Sequence, residues 1–306
     1  MRRQLSTWVL AVAGVTMLVS SCAAPAGEAP PGSASTAGAP VVAPKATSAE
    51  LPQQPPARPA DAFAGLDART RAATADAAAA GADVTVEVLD RNTGQVVSHS
   101  ANQPFPIASV VKLFIADDLL LQVSRGETEL TPADRGSLDA MLRSSDDSAA
   151  QMFWDRSGGS AIIGRVVARY GLTGTTAPYN GKWDVTQSTA SDLVRYYNGL
   201  LSGSGALPPE QADVIMRNLA GHTPTGTDGY PQRFGIPDGL YAEPVAVKQG
   251  WFCCWNGANQ LHVSTGAIGP ERRYVMAISS LQPVSAAAAR DTITEVVKTM
   301  FPDGRI

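Results

Sequence analysis

Strand-patterned sequence lies at both ends of the body of this chain and helix-patterned sequence fills its middle. That order constrains the fold more than any other feature. Val84–Leu89 and Val96–Ser100 read as strands on either side of Asn92-Thr93-Gly94, a hairpin signal. Strand character returns near Val245: Val245–Trp255 runs into Asn256-Gly257, the strongest short-range hairpin cue, then into Leu261–Ala267 and Tyr274–Ser280. Between them stand helical segments at Ile107–Val123, Arg135–Arg143, Ser148–Trp154, Ser160–Tyr170, Ser188–Leu201 and Pro209–Leu219. Ala-rich helices are expected around Asp67–Ala80 and from about Ser285 to Met300. The expectation is an α/β fold in which both termini build one sheet and an all-helical lobe, over about residues 107–235, is inserted between them. Ligands favour the crevice between such lobes.

The chain has 306 residues, and its first sixty do not belong to that body. Arg2 and Arg3 precede an apolar run from Trp8 to Val19, and Val19-Ser20-Ser21-Cys22 follows. The run is too short for a permanent membrane span, so residues 1–21 read as a secretion signal. The stretch resembles a bacterial lipobox, which implies acylation of Cys22 and an extracytoplasmic protein anchored to the cell membrane. The arginine pair suits either a twin-arginine signal or an ordinary basic n-region. Residues 22–60 are nearly all Ala, Pro, Gly, Ser and Thr and cannot bury enough apolar surface to order, so they read as a disordered spacer. Residues 61–306 remain as the folded domain, expected to be a monomer. A net charge of −4 with no basic block beyond the signal argues against a nucleic-acid surface. His99, His222 and His262 are scattered, and no Cys/His cluster has metal-ligand spacing. No metal and no cofactor is expected.

Residues 105–114 read FPIASVVKLF, placing Ser109 and Lys112 in an otherwise apolar stretch. At i and i+3 their side chains share one face of a helix. Pro104 and Pro106 set the helix start, so Ser109 falls near the first turn, where free N–H groups favour developing negative charge. A serine there becomes a nucleophile when a desolvated, neutral lysine removes its proton. The pair alone also fits a serine N-cap beside a lysine that reaches to solvent. Its surroundings carry further signals: SSDDSAAQ at 144–151 and KQG at 248–250. Ser-x-x-Lys, Ser-Asp-Asn and Lys-Thr-Gly, in that order, form the motif set of class A β-lactamases and penicillin-binding proteins. From about Asp61 to its end the chain resembles that superfamily, and GWFCCWNG after the third motif resembles its Ala-rich actinobacterial lipoproteins.

The resemblance implies a β-lactamase/DD-peptidase-like fold, with an antiparallel sheet flanked by N- and C-terminal helices plus an inserted all-helical lobe. It implies Ser109 as acylated nucleophile, Lys112 as general base and Ser145 as the group passing a proton to the leaving nitrogen. Lys248 would attract the substrate's carboxylate, and the backbone N–H groups of Ser109 and Trp251 would form the oxyanion hole. Asp147, Gln249, Gly250 and Trp251 fall at substrate-binding positions. The implied ligand is a cell-wall peptide or a β-lactam.

Several positions depart from the family pattern. Asp147 stands where the family has asparagine; a carboxylate accepts but cannot donate, and it favours the protonated, non-basic form of Lys112. A shifted register, Ser144-Ser145-Asp146, again puts aspartate there, and Ser148-Ala149-Ala150 favours the first register. Gln249 replaces a Thr or Ser hydroxyl and is bulkier. No glutamate occurs between Asp147 and Glu210, Tyr179–Asp184 is short for a deacylating loop, and the Ser109–Ser145 interval is short as well. Cys253 and Cys254 are adjacent; across a trans peptide their Cα atoms would sit about 3.8 Å apart, so two buried free thiols are expected rather than a vicinal disulfide. Trp251, Phe252 and Trp255 are expected mainly to pack, with Trp251 placed to line the cleft. Two functions follow: slow serine acyl transfer, or a binding or scaffold lipoprotein that kept the cleft and lost turnover.

Overall fold

The structure is a computed structural model and describes residues 63–306; the signal, Cys22 and the whole spacer, residues 22–60, lie outside the described residues. The elements run α1 (Leu66–Ala79), β1 (Asp83–Asp90), β2 (Val96–His99), β3 (Phe105–Pro106), α2 (Lys112–Ser124), α3 (Pro132–Arg143), α4 (Asp147–Arg156) and α5 (Ala161–Tyr170). They continue with β4 (Gln187–Ser188), α6 (Ala190–Ser202), α7 (Pro209–Ala220), α8 (Ile236–Gly239), β5 (Val245–Trp255), β6 (Asn259–Ile268), β7 (Tyr274–Gln282) and α9 (Ala286–Met300).

Five strands form one antiparallel sheet in the order β2-β1-β7-β6-β5, so N-terminal and C-terminal strands meet at the β1–β7 pair. Side chains alternate across this sheet. Met276 and Ile278 of β7 join Val84, Val86 and Val88 of β1 in a core with Leu66 and Ala73 of α1 and Ile293 and Val297 of α9. Val275 and Ala277 face the other way, with Leu261 and Val263, into a second core shared with the helices between β2 and β5. At the centre of that second core is α2, buried from Lys112 to Leu121. A helix that is apolar nearly all round must be covered by neighbours. Its two acidic residues are paired: Asp118 with Arg165 at 2.8 and 2.7 Å, and Asp117 with Arg169 and Tyr170.

Two small features were not legible in the sequence. Phe105–Pro106 pairs with Gln187–Ser188 in a two-stranded sheet, and a 3-10 turn, Ala108–Val111, precedes α2. The expected helix over Ile107–Val123 therefore begins tightly wound. Cys253 and Cys254 correct the expectation of buried free thiols: they form a disulfide across a cis peptide, with Cα atoms 2.9 Å apart. Both are exposed where β5 loses its register with β6 between Phe252 and Trp255. The expectation rested on a trans peptide and a regular strand, and neither holds there.

Candidate active site

The site forms where the start of α2 meets edge strand β5. Ala108 has φ +46°, a left-handed conformation that an alanine holds only when its surroundings impose it. In the 3-10 turn that follows, positions i and i+3 eclipse, so Lys112 lies under Ser109. Lys112 Nζ donates to Ser109 Oγ at 2.8 Å.

The turn between α3 and α4 supplies the second group. Ser145 has φ +58°, and Lys112 Nζ donates to both its carbonyl, at 2.7 Å, and its Oγ, at 3.0 Å. Asp146 caps α4, its carboxylate accepting from Ala149 N at 2.8 Å. Asp147 thus becomes the first helical residue, and its Oδ1 accepts from Lys112 Nζ at 2.5 Å. Ser144 Oγ instead donates to Ala140 O, so Ser145 and Asp147 are the residues brought onto Lys112.

β5 brings the third group. Lys248, 1 % exposed, donates to Ser145 Oγ at 2.9 Å and to Gln249 O at 3.1 Å. Gly250 is pressed onto the turn that carries Ser109: a Cβ there would lie 2.6 Å from Ile107 O and 3.3 Å from Ala108 Cβ. Gln249 is 1 % exposed, and its Nε2 donates to Gln232 O at 3.0 Å and Phe234 O at 2.7 Å. Both partners are carbonyl oxygens, which fixes the amide's orientation and leaves Oε1 buried without a partner. Trp251 stacks on Tyr230, with ring centroids 4.9 Å apart, and its Nε1 donates to the exposed Asp228 at 3.2 Å.

Burial decides the electrostatics. Lys112 is fully buried, and loss of solvent pushes its pKa down; Asp147 first, then Asp146 and Asp228, pull it back up without restoring it. The expectation that the Asp147 carboxylate governs Lys112 is therefore answered by a larger opposing effect, desolvation. Lys248 is pushed well below its ordinary value by burial and then by the charge of Lys112. A lysine depressed in this way and bonded to a serine hydroxyl can take its proton. Ser109 itself is only 7 % exposed.

Sequence reasoning missed Trp183, Asp228 and Tyr230. Trp183 lies in a short 3-10 turn with its ring centroid 4.9 Å from Lys112 Nζ, and its Nε1 donates to Gln151 Oε1 at 3.2 Å. It stands in the Tyr179–Asp184 segment, which is short for a deacylating loop, and no spacing connects an indole there to a lysine 71 positions earlier.

The fold has known counterparts. The family model of the beta-lactamase enzyme family matches residues 68–133 and 135–301, and the chain belongs to that family. Among curated proteins it is similar to "Putative lipoprotein LppW" of Mycobacterium tuberculosis and of Mycobacterium bovis, each 58% identical over 255 residues, 83% of this chain and 81% of the relative. Among solved structures it is similar to a mutant of PBP-A in an acyl-enzyme complex with penicillin G, with a TM-score of 0.64 and 19% identity over 81% of this chain and 98% of that one. The class A β-lactamase of Mycobacterium abscessus aligns with a TM-score of 0.58 and 21% identity over 78% of this chain and 98% of that one. At such identities the structural likeness establishes the fold, the β-lactamase/DD-peptidase-like arrangement expected from the motifs.

Proposed function

We propose that this chain is a membrane-anchored lipoprotein whose β-lactamase-like domain carries out serine acyl transfer, slowly toward β-lactams and cell-wall peptides. The observation that carries the reading is a fully buried lysine, Lys112, 2.8 Å from the hydroxyl of Ser109. In its neutral form Lys112 takes the Ser109 proton as Oγ attacks the acyl carbon. The N–H groups of Ser109 and Trp251 receive the developing oxyanion, and Ser145 Oγ, bonded to both lysines, passes a proton to the leaving group. That a mutant of PBP-A forms an acyl-enzyme with penicillin G on a similar fold supports the same chemistry. Deacylation has no evident base, since residues 148–209 contain no glutamate and Trp183 covers Lys112.

For the remainder of the chain we propose export under a signal at residues 1–21, lipidation of Cys22 and a spacer to about residue 60. The lipoprotein name of the 58% identical relatives supports this, and no helix among the described residues is long and apolar enough to cross a membrane. The second reading, a cleft that binds without turning over, is favoured by the Asp147 carboxylate held on the base at 2.5 Å. Intact-mass analysis after incubation with a panel of penicillins and with a neutral fluorophosphonate separates the two. An adduct on Ser109 from either reagent, absent in Ser109→Ala, supports acyl transfer; no adduct from any of them overturns it and leaves binding.

A further inference from the structure

Resting on the acyl-transfer reading above, we infer that this cleft takes an acyl donor with no carboxylate beside its reacting carbonyl and prefers one bearing a positive charge. The groups that would hold a carboxylate are engaged elsewhere. Both amide hydrogens of Gln249 are bound to Gln232 O and Phe234 O, so the residue at the hydroxyl position has no donor left for a ligand. Its remaining polar atom, Oε1, is an acceptor and would repel an anion. Lys248 is nearly inaccessible, and two of its hydrogens go to Ser145 Oγ and Gln249 O.

What the cleft offers to solvent is negative. The Asp147 side chain is 69 % exposed, although one oxygen reaches Lys112. Asp228 is exposed and accepts from Trp251 Nε1 and from Tyr230 N, at 3.2 and 2.9 Å, so its carboxylate is fixed beside the aromatic stack rather than free to swing away. Asp147 Oδ1 accepts from Lys112 Nζ, and Thr227, next to Asp228, donates its N–H to Ser144 O at 2.7 Å, so both carboxylates flank the turn that carries Ser145. A half-buried indole next to a fixed carboxylate is a favourable seat for an ammonium group. Arg290, over the ring of Tyr230, is the cation that competes with this seat. A ligand with the carboxylate usual for penicillins would meet two carboxylates, with the Gln249 amide already taken and Lys248 buried.

The test uses three p-nitrophenyl esters of butyric acid derivatives with the same reacting carbonyl: unsubstituted, carboxylate-tailed and trimethylammonium-tailed. In each case the Ser109 Oγ–C bond forms, the C–O bond to nitrophenol breaks, and the proton taken by Lys112 leaves with the nitrophenolate. Release of nitrophenolate and the mass adduct on Ser109 are followed with the full chain. The cationic ester should acylate at least about tenfold faster than the anionic one, a ratio that shrinks as ionic strength rises. Asp228→Asn should lower that ratio about threefold by removing one of the two charges, and Gln249→Thr should raise the rate with the anionic ester selectively. An anionic ester as fast as the cationic one overturns the inference and leaves acyl transfer intact. If no ester marks Ser109 while a penicillin or the fluorophosphonate does, the inference falls alone; if no reagent marks it, the inference and the acyl-transfer reading fall together. The wild-type ratio keeps the inference testable even if a variant folds poorly.

Discussion

Lys112 sits between two opposing influences, and in the proposed mechanism their balance sets how reactive Ser109 is. Desolvation favours the free amine; the Asp147 carboxylate favours the ammonium. Asp147→Asn removes the opposing charge at nearly constant shape, so the Lys112 pKa falls further and a larger share is basic at neutral pH. Acylation of Ser109 by a penicillin should then rise at least about tenfold, the effect of one pKa unit on the free amine. The acylation rate should climb with pH through the Lys112 titration, and the variant's climb should begin at lower pH. Identical rates and pH profiles for the two proteins would show that charge on Lys112 is not what limits the reaction. Gln249→Thr then tests shape instead. It removes two hydrogen bonds from the segment before α8 and should destabilise the fold by about 1–3 kcal/mol in denaturant titration.

At the scale of elements, the site depends on β5 lying close against the turn before α2. Gly250 permits that approach, and a methyl group 2.6 Å from Ile107 O has no room. Gly250→Ala should destabilise the domain by about 1–3 kcal/mol and abolish Ser109 acylation by moving the strand outward. Unchanged stability with full acylation would contradict this packing. The segment before α8 fastens the other side: Thr223 N donates to Arg143 O at 3.0 Å and Thr227 N to Ser144 O at 2.7 Å, securing the turn that carries Ser145. Beneath it His262 of β6 is wholly buried, sharing a 2.7 Å hydrogen bond with Tyr230 OH, and burial lowers its pKa to about 3. In the unfolded chain histidine binds its proton near pH 6.5. Between 6.5 and about 3 the unfolded state therefore holds a proton that the folded state refuses. Stability should be intact above pH 6.5 and fall by a few kcal/mol, on the order of 4, as pH drops through that window. Denaturant titrations across this range, with His262→Gln as the comparison, should show the slope in the wild type and a shallower one in the variant.

For the whole molecule, the separation of anchor from domain is the consequence with the simplest test. On the proposed lipidation, attachment depends on the lipid at Cys22; the described residues hold no helix long and apolar enough to cross a membrane. Cys22→Ala should move the protein from the membrane fraction to the soluble one; a protein that stayed fully with the membrane would carry another anchor. Hydrolysis of a chromogenic cephalosporin should stay well below about 10 per second, a typical enzyme rate, because residues 148–209 contain no glutamate to take part in deacylation.

The elements were legible because their signals are local. Period-two alternation marked β1 and β2, Asn256-Gly257 marked the turn between β5 and β6, and helical spacing marked α3 through α7 to within a few residues. The order of the three motifs likewise pointed to Ser109, Lys112, Ser145 and Lys248 and to the family. What the sequence could not determine depends on burial and on partners far along the chain. The amide of Gln249 is taken by carbonyls 17 and 15 positions away, and Trp183 reaches a lysine on another element. Whether Lys112 is a base depends on desolvation by the surrounding core as much as on Asp147. Local periodicity fixed the helices and strands; only the packed chain decided which polar groups lost water and which partner each then found, because desolvation is a property of the whole fold rather than of any residue's neighbours in sequence.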